Sequence, residues 1–253
     1  MQRRSLRHAD RVVAVSGALR DELVGCGIEE ARVRVIRNGW RHRDDHLGRE
    51  PACAELGVAA AGPRIGWVGR FSSEKGPDVM VHALARLGGV QPSLSFIGDG
   101  REVRTTQALA KRLSVSDRIT WHGQVGAPWR LFKAFDLFVL SSRTEGTPMV
   151  LMEALDAGVP LVCTAVGGVA EVIDDSMAAL APPDDPDALA AAIHAVLNDP
   201  EGASRRTERA RQVLEGLLNM DRWTDAHDAV YQEAVAASVA RNQRRSDRRG
   251  TYT

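Results

Sequence analysis

The sequence predicts an α/β protein built on a doubly wound, Rossmann-like parallel sheet, and three observations carry that expectation. Short apolar runs recur from Pro63 onward. Each is bounded by glycine, proline or a polar turn residue, as buried strands are. Helical patterns separate them, and alternation of strand and helix with right-handed crossovers gives a parallel sheet covered on both faces.

The strands are read at Arg64–Val68, Ser93–Ile97, Arg118–Trp121, Leu137–Leu140, Leu161–Thr164 and Ala178–Ala181. Between them lie helical patterns at Pro77–Leu87, Glu102–Leu113, Pro128–Ala134, Pro148–Ala157 and Val169–Ile173. Helices at Pro186–Leu197, Ser204–Leu217 and from about Asp221 follow the last strand. Ahead of this series, Arg11–Val15 and Val33–Ile36 read as strands joined by a helix over Ala18–Val24, a β-α-β unit without a sheet of its own. The expected organisation is therefore an N-terminal piece over 1–40, a polar linker over 41–63 with a helical turn near Cys53, a Rossmann-like domain over 64–220, and a C-terminal helix with a basic tail over 221–253. Beyond Ala240 the tail has nothing apolar to bury and is expected to be disordered. No internal repeat is visible.

Composition excludes several classes. Apolar residues make up 44% and charged residues 26%, ordinary for a globular chain. Lysine plus arginine and aspartate plus glutamate number 33 each, so no net field draws the molecule to nucleic acid. Cys26, Cys53 and Cys163 are scattered, with neither disulfide nor zinc spacing, and read as reduced thiols. No apolar run reaches membrane-spanning length. Met1–Arg7 is basic but no apolar segment follows it, which predicts no signal peptide and a cytoplasmic location. The tail arginines (Arg241, Arg244, Arg245, Arg248, Arg249) suit either a solvated tail or peripheral contact with anionic lipid at the inner face of a membrane.

Ligands on doubly wound sheets bind beyond the carboxyl ends of the strands, so the strand-to-helix loops are where chemistry belongs. The strongest signal there is the segment from Glu145 through Gly146, Thr147, Pro148, Met149 and Val150 to Glu153. Pro148 suits the first helical position with Thr147 as its cap, which would leave the amides of Met149 and Val150 unpaired, an anion site at a helix start. Glu153 falls one turn along the same face, positioned for ribose hydroxyls, and Glu145 just ahead of the helix, positioned for sugar hydroxyls. The competing reading is a capped helix with two solvated acids. The loop Gly69–Gly76 follows the first strand of the main series and places Arg70 and Lys75 beside the same region, a forked and a point cation for phosphate. Its spacing is neither a P-loop nor a dinucleotide fingerprint. Gly98-Asp99-Gly100 and Gly167-Gly168 are turn chemistry on their own. His42 and His46 flank two aspartates, but a solvated loop explains that cluster better than a metal site. His122 at a strand end is as readily structural as ligand-facing. No order of serine, histidine and acid points to nucleophilic catalysis.

Together Gly69–Gly76, Gly98–Gly100, Trp121-His122-Gly123, Asp136 through Glu153, Ala157–Val162 and Val166–Glu171 resemble the family-four (group 1) retaining glycosyltransferases, over roughly Ser5 to Trp223. The resemblance implies one half of a GT-B fold: the C-terminal donor-binding domain with a remnant of the N-terminal, acceptor-binding one. It implies transfer of a sugar from a UDP- or GDP-linked donor, with no other cofactor and no metal, to a saccharide or lipid-linked acceptor in polysaccharide biosynthesis. It assigns Arg70 and Lys75 to the diphosphate and Glu145 to the donor sugar, the three catalytic candidates. Glu153 falls to the ribose, the Met149 and Val150 backbone to the distal phosphate, and the backbone around Val125 to the base, with Gly69, Thr147 and Pro148 lining the site. Thr147-Pro148 stands where the family more often has Phe-Gly, so donor-sugar preference does not carry over. The acceptor-side glycine-rich loop has no counterpart here. A separate acceptor-domain chain and self-association through unpaired strand edges are the partner expectations. Two other readings are a nucleotide-sugar-binding module without turnover and a nucleotide-sugar epimerase, the latter a poorer match to the arginine–lysine loop.

Overall fold

The computed structural model describes residue 6 and residues 8–89, 91–217 and 219–250. Apart from Leu6, the basic stretch 1–7 lies outside them, as do the side chains of Arg244, Arg245, Arg248 and Arg249. The chain divides into two compact units, Met1–Arg41 with Leu218–Thr253, and His42–Leu217.

In the smaller unit, β1 (Val12–Ala14) and β2 (Val33–Val35) pair in parallel through the helix α1 (Gly17–Gly25), as the β-α-β reading requires. Ser16 caps α1 by accepting from the Leu19 N–H at 3.1 Å.

The larger unit opens with α2 (Arg49–Leu56), the helical turn expected near Cys53 extended to eight residues. Ala52, Cys53 and Leu56 are its buried face. Six parallel strands follow: β3 (Arg64–Val68), β4 (Ser93–Ile97), β5 (Ile119–Gly123), β6 (Leu137–Leu140), β7 (Leu161–Thr164) and β8 (Ala179–Ala181). Their spatial order is β5-β4-β3-β6-β7-β8. The chain therefore builds outward from β3 in one direction, then returns to the other side of β3 and builds outward again. That reversal opens a crevice between β3 and β6 at their carboxyl ends. The connecting helices are α3 (Pro77–Arg86), α4 (Val103–Arg112), α5 (Met149–Asp156), the short α6 (Gly167–Ala170), α7 (Pro186–Asn198) and α8 (Pro200–Leu217), with a 3-10 helix at Pro128–Ala134. Every residue of β6 and β7 is buried, because both faces of the sheet are covered. One core joins Ile65, Trp67, Leu94 and Phe96 of the sheet to Met80, Leu84, Leu109, Leu189 and Ile193 of the helices. On the opposite face Phe135 lies over Gly66, where any side chain would strike its ring.

Two polar stretches make contacts that no sequence pattern announces. The stretch 41–63 is polar yet packed, because its charges find fixed partners. Arg49 forks onto Asp136 at 2.8 and 3.0 Å, and Asp136 also accepts the Arg64 N–H at 2.8 Å. The Leu47 N–H donates to the Arg130 carbonyl at 2.8 Å, and Asp45 accepts from the Trp129 indole at 3.2 Å. Among the described residues, α9 (Met220–Gly250) runs past Ala240 as one helix. In the smaller unit Glu233 on α9 accepts from both Arg11 and Arg34, and Arg241 pairs with Asp10. These ion pairs anchor a helix whose sequence lacks an apolar stripe in its last turns. Among the described residues no helix is long and apolar enough to cross a membrane.

Asp136 thus serves three donors at the amino end of the sheet. Asp136→Ala should lower stability by about 1–3 kcal/mol, the cost of hydrogen bonds to a charged acceptor. Asp187→Ala, which removes the exposed partner of Arg86, should stay within about 0.5 kcal/mol. Urea unfolding of both variants checks the contrast.

Candidate functional site

The crevice between β3 and β6 is assembled by two loops whose closest approach is fixed by buried groups. The indole of Trp67 donates to the Ser141 hydroxyl at 3.0 Å, and that hydroxyl donates to the Gly76 carbonyl at 2.8 Å. Gly76 is left-handed, with φ at 59°, and a Cβ there would run into the Ser141 carbonyl oxygen. Phe71, buried, ties the first loop to the second strand's loop: its N–H donates to the Asp99 carbonyl at 2.9 Å and its carbonyl accepts from Glu102 at 3.1 Å.

Lys75 ends the 3-10 turn Ser73–Lys75 on this loop, and its Nζ lies 2.6 Å from Oε1 of Glu145. The Ser142 hydroxyl donates to the same oxygen at 2.6 Å. Only 6% of the Glu145 side chain is exposed against 29% of Lys75, so the carboxylate is the desolvated partner and relies on the lysine for compensation. From below, Gly167 lets the chain pass against Glu145: its φ is 46°, a Cβ would meet the Glu145 carbonyl oxygen, and the Gly168 N–H donates to that oxygen at 3.1 Å. Gly69 closes β3 with its N–H on the Ile97 carbonyl at 3.0 Å. Arg70, next along, is exposed and makes no ion pair among the described residues.

The start of α5 differs from the expectation by one residue. Pro148, with φ −73° and ψ 111°, is the capping residue rather than the first helical one, and no side chain caps the helix. The buried Thr147 stands one position further back. Leu151 donates to the Pro148 carbonyl at 3.2 Å, and the amides of Met149 and Val150, first in the helix, find no acceptor among the described residues. Proline's ψ sets the difference: an extended ψ keeps Pro148 outside the helical turn. Glu153 lies one turn on, and burial pushes its carboxyl above the ordinary range while the charge of Arg43 opposes the shift. Val125 stands in the loop after β5, the edge strand of the sheet, two strands away from β3. Between the loops after β4 and β5 a hollow of about 240 Å³ opens beside Gly98, Asp99, Gln107 and Gly123, floored by the rings of Phe71, Phe96 and Trp121.

Sequence reading missed three residues here. Ser142 adds a donor to Glu145, and nothing in a serine pair marks it in advance. The Arg43 guanidinium lies over the Trp129 ring at 4.1 Å and its backbone N–H donates to Asp156 at 2.7 Å, which sets a cation from the expected linker near Glu153. Arg143 holds the Asp78 carboxylate at 2.9 and 2.7 Å. Burial pushes the Asp78 carboxyl up, but the Arg143 contacts prevail and leave it below the ordinary carboxylate range. The histidines of 42–46 are structural, His42 on Asp156 at 2.5 Å and His46 on the Trp129 carbonyl at 2.9 Å. Among the described residues no cluster has the donors to hold a metal ion. His122 is held below its usual pKa by burial and by Arg64, a neutral imidazole within β5. Burial, with Glu145 adding to it, pushes the Cys163 thiol far up, so it is an inert thiol of β7.

A six-stranded parallel sheet with a lysine–glutamate pair at its switch point is the architecture of a nucleotide-binding Rossmann-like domain. The sequence model described as "Glycosyl transferases group 1" matches residues 53–213, and "Glycosyltransferase Family 4" matches residues 1–42. The chain belongs to the family-four, group 1 glycosyltransferases, with the GT-B half-fold that family implies. It is 32% identical to a glycogen synthase of Mycobacterium tuberculosis, over 94% of this chain and 57% of that protein. It is 32% identical to the lipopolysaccharide core biosynthesis glycosyltransferase LpsE of Rhizobium meliloti, over 81% of this chain and 63% of that one. The chain thus spans somewhat over half the length of these relatives. Among solved structures, Anabaena Alr3699/HepE in complex with UDP and glucose superposes with a TM-score of 0.82 at 22% identity, covering 90% of this chain and 64% of that one. Sucrose-phosphate synthase of Thermosynechococcus elongatus gives 0.79 at 28% identity, covering 93% and 61%.

The Glu153 shift carries a prediction with a definite sign. A carboxyl raised in the native state binds its proton more tightly there than in the unfolded chain. Its contribution to stability is therefore present at low pH and lost as pH rises through the native value. Glu153→Gln should raise the Tm of the ligand-free protein at pH 7, with the difference closing below about pH 4, the unperturbed glutamate value. Calorimetric scans across that range test it, and an equal or lower Tm at pH 7 would overturn the burial cost assigned to Glu153.

Proposed function

We propose that the larger unit binds the donor of a retaining glycosyltransferase, a nucleotide diphosphate sugar, and that the residues around the β3–β6 crevice act on it. The observation that carries this reading is the Lys75–Glu145 pair at the switch point, with α5 starting at Met149 shortly after Glu145 in the same loop. Arg70 and Lys75 bind the diphosphate and offset the charge that develops as it leaves. The amides at the start of α5 hold the distal phosphate with the helix dipole behind them. Glu153 accepts from ribose hydroxyls, and Glu145 and Ser142 receive the sugar. Gly69 lets the backbone turn close to the phosphates, Thr147 and Pro148 line the sugar side, and the Val125 backbone meets the base. The complex of HepE with UDP and glucose supports a UDP-linked donor, and the relatives in lipopolysaccharide and glycogen synthesis support a saccharide acceptor.

Transfer also requires an acceptor held in attack geometry with water excluded, worth roughly 7–11 kcal/mol when fully realised. We assign that task to an acceptor domain of which the smaller unit is one part, so that this chain alone hydrolyses its donor slowly at most. Restoring an acceptor domain, in the same chain or as a partner, is expected to restore transfer.

Titration calorimetry with UDP, GDP and ADP tests the donor site directly. Charge-assisted contacts of about 1.5–3 kcal/mol each place binding in the micromolar to millimolar range. Glu153→Gln should weaken the bare nucleotide. Glu145→Gln should not, because it removes the carboxylate that competes for Lys75, and should weaken only the intact nucleotide sugar. No binding of any of the three at millimolar concentration would overturn the donor-site reading. Equal weakening of the bare nucleotide by both substitutions would overturn the placement of the sugar.

A further inference from the structure

Arg143 stands two residues before Glu145, in a loop where an arginine is usually solvated, yet its guanidinium is almost fully engaged. Nε donates to Asp184 at 2.5 Å, one terminal nitrogen to the Ser73 carbonyl at 2.6 Å and to Asp78 at 2.9 Å, and the other to Asp78 at 2.7 Å. Four of its five N–H groups are thereby used on protein acceptors. These acceptors come from three places: the turn that ends in Lys75, the first turn of α3, and the loop between β8 and α7. The Arg143 backbone N–H adds a fifth tie, to the Glu74 carbonyl at 2.7 Å. Side chain and backbone of one residue thus grip Ser73 and Glu74, while Ser141 grips Gly76 beyond them. Lys75 is the residue between the two grips, and its ammonium reaches Glu145 at 2.6 Å.

We propose that Arg143 is a positioning residue that holds the Ser73–Gly76 turn so that Lys75 faces the anionic ligand and Glu145. Its own donors are spent on the protein, so it acts through Lys75 and not as a phosphate ligand. The fork is essential to this role, because only a planar guanidinium spans Asp78, Asp184 and the Ser73 carbonyl together; a lysine at 143 satisfies one of them at a time. The functional part of the inference rests on the donor-site reading, whereas the clamp itself does not.

Two measurements separate the clamp from that reading. Amide hydrogen exchange of the ligand-free 253-residue chain should show faster exchange confined to residues 73–76 and the first turn of α3 in Arg143→Met, with the rest of α3 and β6 unchanged. Unchanged exchange there would overturn the clamp. The second is a double-mutant cycle read by titration with UDP, GDP and ADP. Arg143→Met should weaken the nucleotide about tenfold when Lys75 is present and leave affinity unchanged in the Lys75→Met background. Equal losses in both backgrounds would show that Arg143 does not act through Lys75, and overturn the inference. Should Arg143→Met fail to fold, Arg143→Lys carries the same cycle, with a smaller loss expected on the same pattern. Faster exchange at 73–76 in a protein that binds none of the three nucleotides would uphold the clamp and overturn the donor reading alone.

Discussion

The hydrogen bond from Ser141 to the Gly76 carbonyl is the constraint on which the site depends. Parallel pairing of β3 with β6 places the carboxyl ends of two strands side by side, but it does not by itself bring their loops into contact. The Ser141 hydroxyl, oriented by the Trp67 indole within the core, pulls the first loop onto the second. Because the donor comes from the core cluster, the loop geometry is tied to the packing of the sheet rather than to solvent-exposed contacts. A glycine at position 76 is the only residue that permits the approach, since any Cβ would collide with the Ser141 carbonyl. Gly167 repeats the device on the other side of Glu145. Both charged residues of the central pair are therefore positioned by glycine-permitted close contacts between backbones.

How much of this was legible in sequence follows from what each feature depends on. Arg64–Val68, Ser93–Ile97, Leu137–Leu140 and Leu161–Thr164 have the observed bounds, because a short apolar run between turn residues has few other ways to be buried. Helix ends were less legible: Pro148 reads as a first helical residue, and only its ψ shows otherwise. The contacts made by the polar stretch 42–63 and by Arg241 were illegible for one reason. They close on partners distant in sequence, Asp136 for Arg49, Trp129 for Asp45, and Asp10 for Arg241. Hydrophobic periodicity cannot report an ion pair closed by the tertiary fold.

The site divides the same way. Lys75 and Glu145 were each legible as loop residues after adjacent strands, but their direct contact spans 70 positions and had no sequence signal. Arg143 lay inside the best-matched segment and still looked like surface, because its three acceptors come from three separate loops. Ser142 is similar, its role set by one hydroxyl pointing at one carboxylate. What sequence supplies is the chemical type and the strand end; which groups face each other is settled by the topology of the sheet.

On the donor reading, the depth of Glu145 has a consequence for selectivity. A carboxylate only 6% exposed loses most of its hydration and cannot be left without a counter-charge or several donors. If a diphosphate draws Lys75 away, Ser142 alone remains on Glu145, and part of the attraction gained at the phosphate is lost at the carboxylate. A nucleotide sugar brings hydroxyl donors to that same carboxylate, so Lys75 can move to the phosphates without stranding it. The ion pair therefore opposes bare diphosphate more than intact donor, which favours substrate over the product that leaves. On that reading Lys75 is shared between Glu145 and a bare diphosphate, and turns fully to the phosphates when the sugar takes its place on Glu145.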